Sequence, residues 1–185
     1  MHQYIDIHTH NTTATAHALR IVNVYEQFDT IHNTGWFSAG LHPWHLSYPI
    51  DLSTLTNVAM QPNILAIGEC GLDKVCSTDW NLQHTAFTQQ IELANKIGKP
   101  LVIHCVRAWE EVMTTLKHHK VSVPVIFHGF NKSNIASQII DSGYYLSFGK
   151  ALLSSGSPAT EVIRAVPTDR YFLETDDSDI SIADI

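Results

Sequence analysis

Along this chain, short apolar and β-branched runs recur, each stopped by polar residues or glycine. Eight of them, at 4–8, 20–25, 36–41, 64–68, 101–104, 123–128, 144–148 and 171–174, read as strands. Between the later runs the apolar period becomes helical. Over 80–97, Leu82, Phe87, Ile91, Ala94 and Ile97 fall on one helical face, and Gly98-Lys99-Pro100 stops the pattern. The segments 108–118, 132–141 and 159–165 follow the same rule, whereas the gaps 10–19 and 26–35 are too short or too polar for full helices.

Continuous apolar strands alternating with helices predict a parallel sheet covered by helices. Eight such strands predict an α/β fold, a compact distorted TIM-type (β/α)8 barrel with missing or reduced helices, formed as a single domain over 1–185. Such barrels usually run to about 250 residues. The shorter length fits if the first helix is absent and nothing follows the last strand, which leaves an exposed seam between strands eight and one. A doubly wound open sheet is the structural alternative, but no glycine-rich phosphate loop opens a helix.

Composition narrows the class further. With 44% hydrophobic and 16% charged residues, disorder, collagen and coiled coil are excluded. No apolar stretch approaches the ~20 residues needed to span a bilayer, and Met1-His2-Gln3-Tyr4 lacks leader features. Three cysteines without a CxxC fit a reducing compartment. A soluble, cytoplasmic protein without a membrane partner is expected. A net charge of −7 disfavours contact-rich binding of long duplex DNA, and 12 histidines are compatible with metal binding.

The chemistry sits where the apolar runs stop. Asp6-Ile7-His8-Thr9-His10 ends the first, placing Asp6, His8 and His10 on one strand face. With this many histidines, about 0.8 His-x-His pairs arise by chance, so the pair alone decides nothing. Glu69 follows the fourth run, His104 ends the fifth, His128 the sixth, and Glu174 and Asp176 share a face at the eighth. Each alone reads equally well as a structural residue. Together, at the C-terminal rim of a parallel barrel, four imidazoles and two carboxylates suit one or two divalent ions. His42, Lys74 and Arg107, at or just after strand ends, are candidates for phosphate contact. Trp44 could stack on a base or pack the rim, while Cys70 and Cys105, each following a ligand candidate, would point toward the helices.

This ordered set resembles the TatD family of metal-dependent deoxyribonucleases, within the amidohydrolase superfamily. The resemblance rests on Asp6-Ile-His8-Thr-His10, Gly40-Leu-His42-Pro43, Gly68-Glu69-Cys-Gly71-Leu72-Asp73, His104 with nearby Arg107, His128-Gly-Phe130 and Leu173-Glu174-Thr175-Asp176. It implies a distorted barrel, divalent metals and phosphodiester hydrolysis, in a shortened member. On that reading His8 and His10 hold one ion, His104 and His128 the other, and Glu69 bridges. Asp176 binds the first ion and serves as general base. The ion is one of Zn, Mn, Mg, Ni or Fe. The substrate is DNA, an oligonucleotide end or a small phosphoester. Hydrolysis of a C–N or carboxyl-ester bond is the rival activity, and a non-catalytic metal-binding barrel the rival without one.

Overall fold

The computed structural model describes residues 4–13, 17–32 and 34–185. Residues 1–3, on which the missing leader was read, lie outside these, as do parts of the gaps 10–19 and 26–35. The strands are β1 (Tyr4–Thr9), β2 (Ala18–Val24), β3 (Trp36–Ala39), β4 (Ile64–Asp73), β5 (Leu101–Val106), β6 (Val125–Phe127), β7 (Tyr145–Phe148) and β8 (Tyr171–Leu173), and their order is chain order. The helices are α1 (Leu52–Ala59), α2 (Trp80–Ile97), α3 (Trp109–His118), α4 (Ser133–Asp141) and α5 (Pro158–Ala165). None of the described helices is long and apolar enough to cross a membrane. The chain groups into two compact units, 1–22 with 126–185, and 23–125.

In the first unit β1 pairs in parallel with β2, and β6, β7 and β8 pair in parallel in turn. Phe127, Phe130, Ile139, Leu146, Phe148 and Val162 fill its core. The seam expected between β8 and β1 is joined at its C-terminal end. His10 N–H donates to the Asp176 carbonyl (3.0 Å), and Asp176 N–H donates to the His8 carbonyl (2.9 Å). Ile5 and Phe172 nevertheless stay exposed, at 61% and 37%.

In the second unit β3, β4 and β5 pair in parallel. Helix α1 lies outside the expected helices, although its signals are present in the sequence. The Asp51 carboxylate caps it by accepting from the N–H groups of Ser53 and Thr54, and Leu55, Val58 and Ala59 form its buried face. Helix α2 matches the expected 80–97, capped by Asp79 and closed by Gly98 in the left-handed conformation (φ 69°), which a glycine adopts without penalty.

The main departure is β4. It was expected to stop at Gly68, but it continues to Asp73, so Glu69 lies within the strand. After a register shift, Cys70, Gly71, Leu72 and Asp73 pair with Ile103, His104, Cys105 and Val106. Gly71 permits this approach: with φ 146°, a Cβ there would lie 2.0 Å from the His104 carbonyl oxygen. Two strands can meet this closely only where one has no side chain.

Candidate metal centre

In the first unit, β1 carries His8 and, just past its end, His10; β6 is followed by His128, and β8 leads into Asp176. Ligand atoms of His8, His128 and Asp176 all lie within 4.8 Å of one another. The Nε2 atoms of His8 and His10 are 3.6 and 3.5 Å from Asp176 Oδ1. Two ligands bound ~2.0–2.1 Å from one ion in a tetrahedral shell are about 3.4 Å apart, so this spacing suits a shared cation better than a hydrogen bond.

Asp176 is held there against its own backbone preference. Its φ is 53°, a left-handed conformation that disfavours a residue with a Cβ. The backbone bonds to β1 hold it from one side. From the other, buried Asp6 accepts from Thr175 N–H (2.9 Å) and Thr175 Oγ1 (2.6 Å), which leaves Thr175 Oγ1 to accept from the Thr9 hydroxyl (2.8 Å). Asp6 therefore turns to Thr175 and pins the residue before Asp176. Burial raises its pKa, although the Thr175 bonds and Arg20, 3.6 Å away, partly offset this. Burial also pushes Asp176 upward, but the nearby His10, His8 and His128 imidazoles outweigh it and hold that carboxyl well below the usual range.

Glu174 has a role that sequence reasoning missed. Fully buried, it accepts from Gly129 N–H at 2.6 Å through Oε1, which lies 3.7 Å from His128 Nδ1. Its Oε2 is buried with no hydrogen-bond partner among the described residues.

In the second unit His42, Glu69 and His104 bring ligand atoms within 4.8 Å of one another, all three buried. Glu69 Oε1 is 3.1 Å from His42 Nε2 and 2.6 Å from His104 Nδ1. The neighbours of these rings assign their tautomers. His104 Nε2 lies 3.0 Å from Asp73 Oδ2, and a carboxylate only accepts, so Nε2 carries the proton. Its Nδ1 faces Glu69 Oε1, so a proton or a cation lies between them. His42 is the opposite case. Its Nδ1 accepts Trp44 N–H (3.2 Å), so Nε2–H is a donor. Burial lowers the His42 pKa despite the pull of Glu69, which favours this neutral donor form.

Asp73 is the keystone of this unit. It is buried, and Oδ2 accepts from His104 Nε2 and from the Trp44 indole N–H (2.6 Å), while Oδ1 accepts from Val75 N–H (2.7 Å) and Cys76 N–H (3.2 Å). Burial pushes its pKa up, but the Trp44 and His104 bonds prevail and hold it below the ordinary value. Two buried amides from α2 fix the backbone around it. Gln83 brackets Asp73 by accepting its N–H (2.8 Å) and donating to its carbonyl (3.1 Å). Gln90 does the same to Leu41, directly before His42, at 2.7 and 3.1 Å.

The remaining sequence candidates are placed as follows. Lys74 is ion-paired to Glu111. Arg107 is exposed, with φ 53°, in the turn after β5. Burial raises the Cys70 thiol, and raises Cys105 to about 12, so both are poor ligands at neutral pH. Gln83 and Gln90 carried no sequence signal beyond being polar on an otherwise apolar helix face. Asp73 stood inside a quoted motif without a role assigned.

Parallel strands alternating with helices, with imidazoles and carboxylates gathered at or near strand ends, define a TIM-type barrel with ligand groups for cations. The model of the family described as TatD related DNase matches residues 4–181, and the chain belongs to that family. It is 29% identical over 144 residues to the uncharacterized metal-dependent hydrolase YcfH of Escherichia coli (strain K12), covering 76% of this chain and 54% of that protein. It is 30% identical over 177 residues to the 3'-5' ssDNA/RNA exonuclease TatD of Edwardsiella piscicida, covering 90% and 64%. The chain thus spans little more than half the length of curated relatives it matches. Among solved structures, the TatD homologue YjjV of Escherichia coli K12 superposes with a TM-score of 0.80 at 23% identity, over 93% of this chain and 78% of that one. The fold is therefore the expected TIM-type barrel.

Proposed function

We propose that this protein is a divalent-metal-dependent hydrolase that cleaves phosphodiester bonds in DNA or oligonucleotide ends. The observation that carries this reading is the convergence of ligand atoms within 4.8 Å of one another in each unit, His8, His128 and Asp176 in the first and His42, Glu69 and His104 in the second. Family membership and relatives named as a metal-dependent hydrolase and an exonuclease support it.

His8, His10, His128 and Asp176 of the first unit would hold one ion, and Glu69 and His104 of the second a further one. Their mixed nitrogen and oxygen donors suit Zn, Mn, Fe or Ni, and Mg with added waters. Divalent ions, when bound, would supply positive charge for a developing phosphoryl oxyanion. Asp176, ionised beside two imidazoles, would be placed to take a proton from an attacking water. His42 is proposed as a further substrate contact, although its Nε2–H is directed to Glu69 Oε1 at 3.1 Å. Lys74 and Arg107 are the other contacts proposed; the Glu111 pairing spends much of the Lys74 charge.

The test is metal content of the purified protein, followed by turnover of a generic phosphodiester with Mg, Mn or Zn. Stoichiometric metal and metal-dependent turnover are expected. Carboxyl-ester or amide turnover without phosphodiester turnover would move the assignment to the rival hydrolase class. The small number of cations in a chain of net charge −7 favours that rival. Absence of bound metal would overturn the reading altogether.

A further inference from the structure

Trp44 combines two properties that rarely coincide. Its side chain is strongly exposed (57%), yet its indole N–H is spent on buried Asp73 at 2.6 Å. An exposed tryptophan held only by packing would sample several rotamers. This one is anchored at its polar edge by a charge-assisted bond, and its backbone N–H is tied to His42. The next loop supports the same turn, with Thr78 Oγ1 donating to the Trp44 carbonyl at 3.5 Å. The indole meets the His42 and His104 rings edge to face, with centroids 5.0 and 5.6 Å away and interplanar angles of 84° and 80°. A rigid aromatic plate thus stands in water beside the residues assigned above to the ion and the phosphate.

We propose that Trp44 is a stacking plate for an unpaired nucleobase of the substrate, seated against its indole while the adjoining phosphate lies beside the Glu69–His104 ligand group. This rests on the phosphodiester reading above and specifies the part of the substrate that reading leaves open. The net charge is −7, and Lys74 is engaged by Glu111, so attraction to a polyanionic backbone is weak. Stacking needs no positive charge and accepts any base, because every base has a π-face. A base in a duplex has both faces covered by its neighbours, so the plate selects single strands or frayed ends.

The experiment uses the metal-loaded protein and two trinucleotides with phosphorothioate linkages, one carrying adenine at every position and one with abasic sites throughout. Calorimetric titration gives the ratio of their Kd values, and the comparison is made among wild type, Trp44→Leu and Trp44→Phe. Wild type is expected to prefer the base-bearing strand by about 5- to 150-fold, the range one stacked base commands. Trp44→Leu, apolar but without a π-face, should bring the ratio to within about twofold of unity, whereas Trp44→Phe should keep most of it. A wild-type ratio near one, an unchanged ratio in Trp44→Leu, or a loss as complete in Trp44→Phe as in Trp44→Leu would each overturn the proposal. A general disturbance of the Asp73 corner would weaken both ligands and leave the ratio alone. The ratio is read without turnover, so failure of the hydrolase reading, seen as no phosphodiester cleavage by metal-loaded wild type, is a separate result.

Discussion

The two ligand groups reach similar chemistry by different means of support. In the first unit the acid is held by backbone. Asp176 is stitched to β1 through its own N–H and carbonyl, in a left-handed conformation, with Asp6 gripping the residue before it. In the second unit the support is made of side chains: the Asp73 carboxylate clamps His104 and Trp44, and the Gln83 amide clamps Asp73. The donor spacings differ accordingly, 3.5 and 3.6 Å around Asp176 against 2.6 and 3.1 Å around Glu69. A backbone-held acid can stand apart from its imidazoles. A side-chain cluster closes on itself until a proton or cation fills it.

The largest effect expected is at the backbone-held acid. Asp176→Asn should retain the fold and much of the metal, because the amide still offers an oxygen, yet kcat should fall at least about a hundredfold, since it cannot take a proton. Its neighbour is the control. Asp177 is exposed and paired to Lys150 Nζ at 2.7 Å, so Asp177→Asn should change kcat only slightly. Steady-state kinetics at saturating metal decide between them, and the reverse outcome would mean the wrong aspartate has been chosen.

Next comes the side-chain clamp. Asp73→Asn removes the charge that fixes the His104 tautomer, and a lost partner behind a ligand typically lowers metal affinity about 10- to 100-fold. Competition with a chelator should show one weakened equivalent of metal and one unchanged. Equal weakening of both would dissolve the distinction between the two groups.

A smaller change should follow from loosening the first unit's grip. Thr175→Val deletes the hydroxyl shared by Asp6 and Thr9 but keeps the backbone bonds to β1. Metal affinity in that unit should fall less than in Asp73→Asn, and the loss of one bond to a charged, buried acceptor should cost stability of about 1.5–3 kcal/mol in denaturant titration. An affinity loss exceeding that of Asp73→Asn would show that the backbone is not the principal support.

The smallest effect concerns α1, remote from either group. The Asp51 side-chain and backbone bonds to Ser53 and Thr54 lower its pKa from 3.8 to about 2. A lowered carboxyl contributes stability that is present above its unfolded value and is lost as pH falls from 3.8 toward 2. Asp51→Ala should flatten the stability profile in that interval and leave it parallel to wild type above pH 5. NMR titration of Asp51 provides the direct check.

What was legible in the sequence is what depends on local period. Strand runs with side chains alternating at every second residue, helical apolar spacing over 80–97, and polar residues stationed where apolar runs stop are all written within a few neighbouring positions. From these came the strand count, the barrel and the residue types offered to a metal. Helix α1 was equally local, and its cap and apolar spacing were passed over. What only the tertiary structure decided is separated along the chain and depends on which groups meet. The extension of β4 through Glu69 to Asp73 arises from pairing with β5, and no periodicity within β4 announces it. The proton position on His104 is set by Asp73, 31 residues away, and the orientation of Trp44 by the same carboxylate at a separation of 29. Asp6, whose alternation with His8 and His10 suggests a third ligand, instead holds Thr175, 169 residues distant. A hydrogen bond is fixed by distance and angle in space, and sequence spacing constrains these only within one helix or strand.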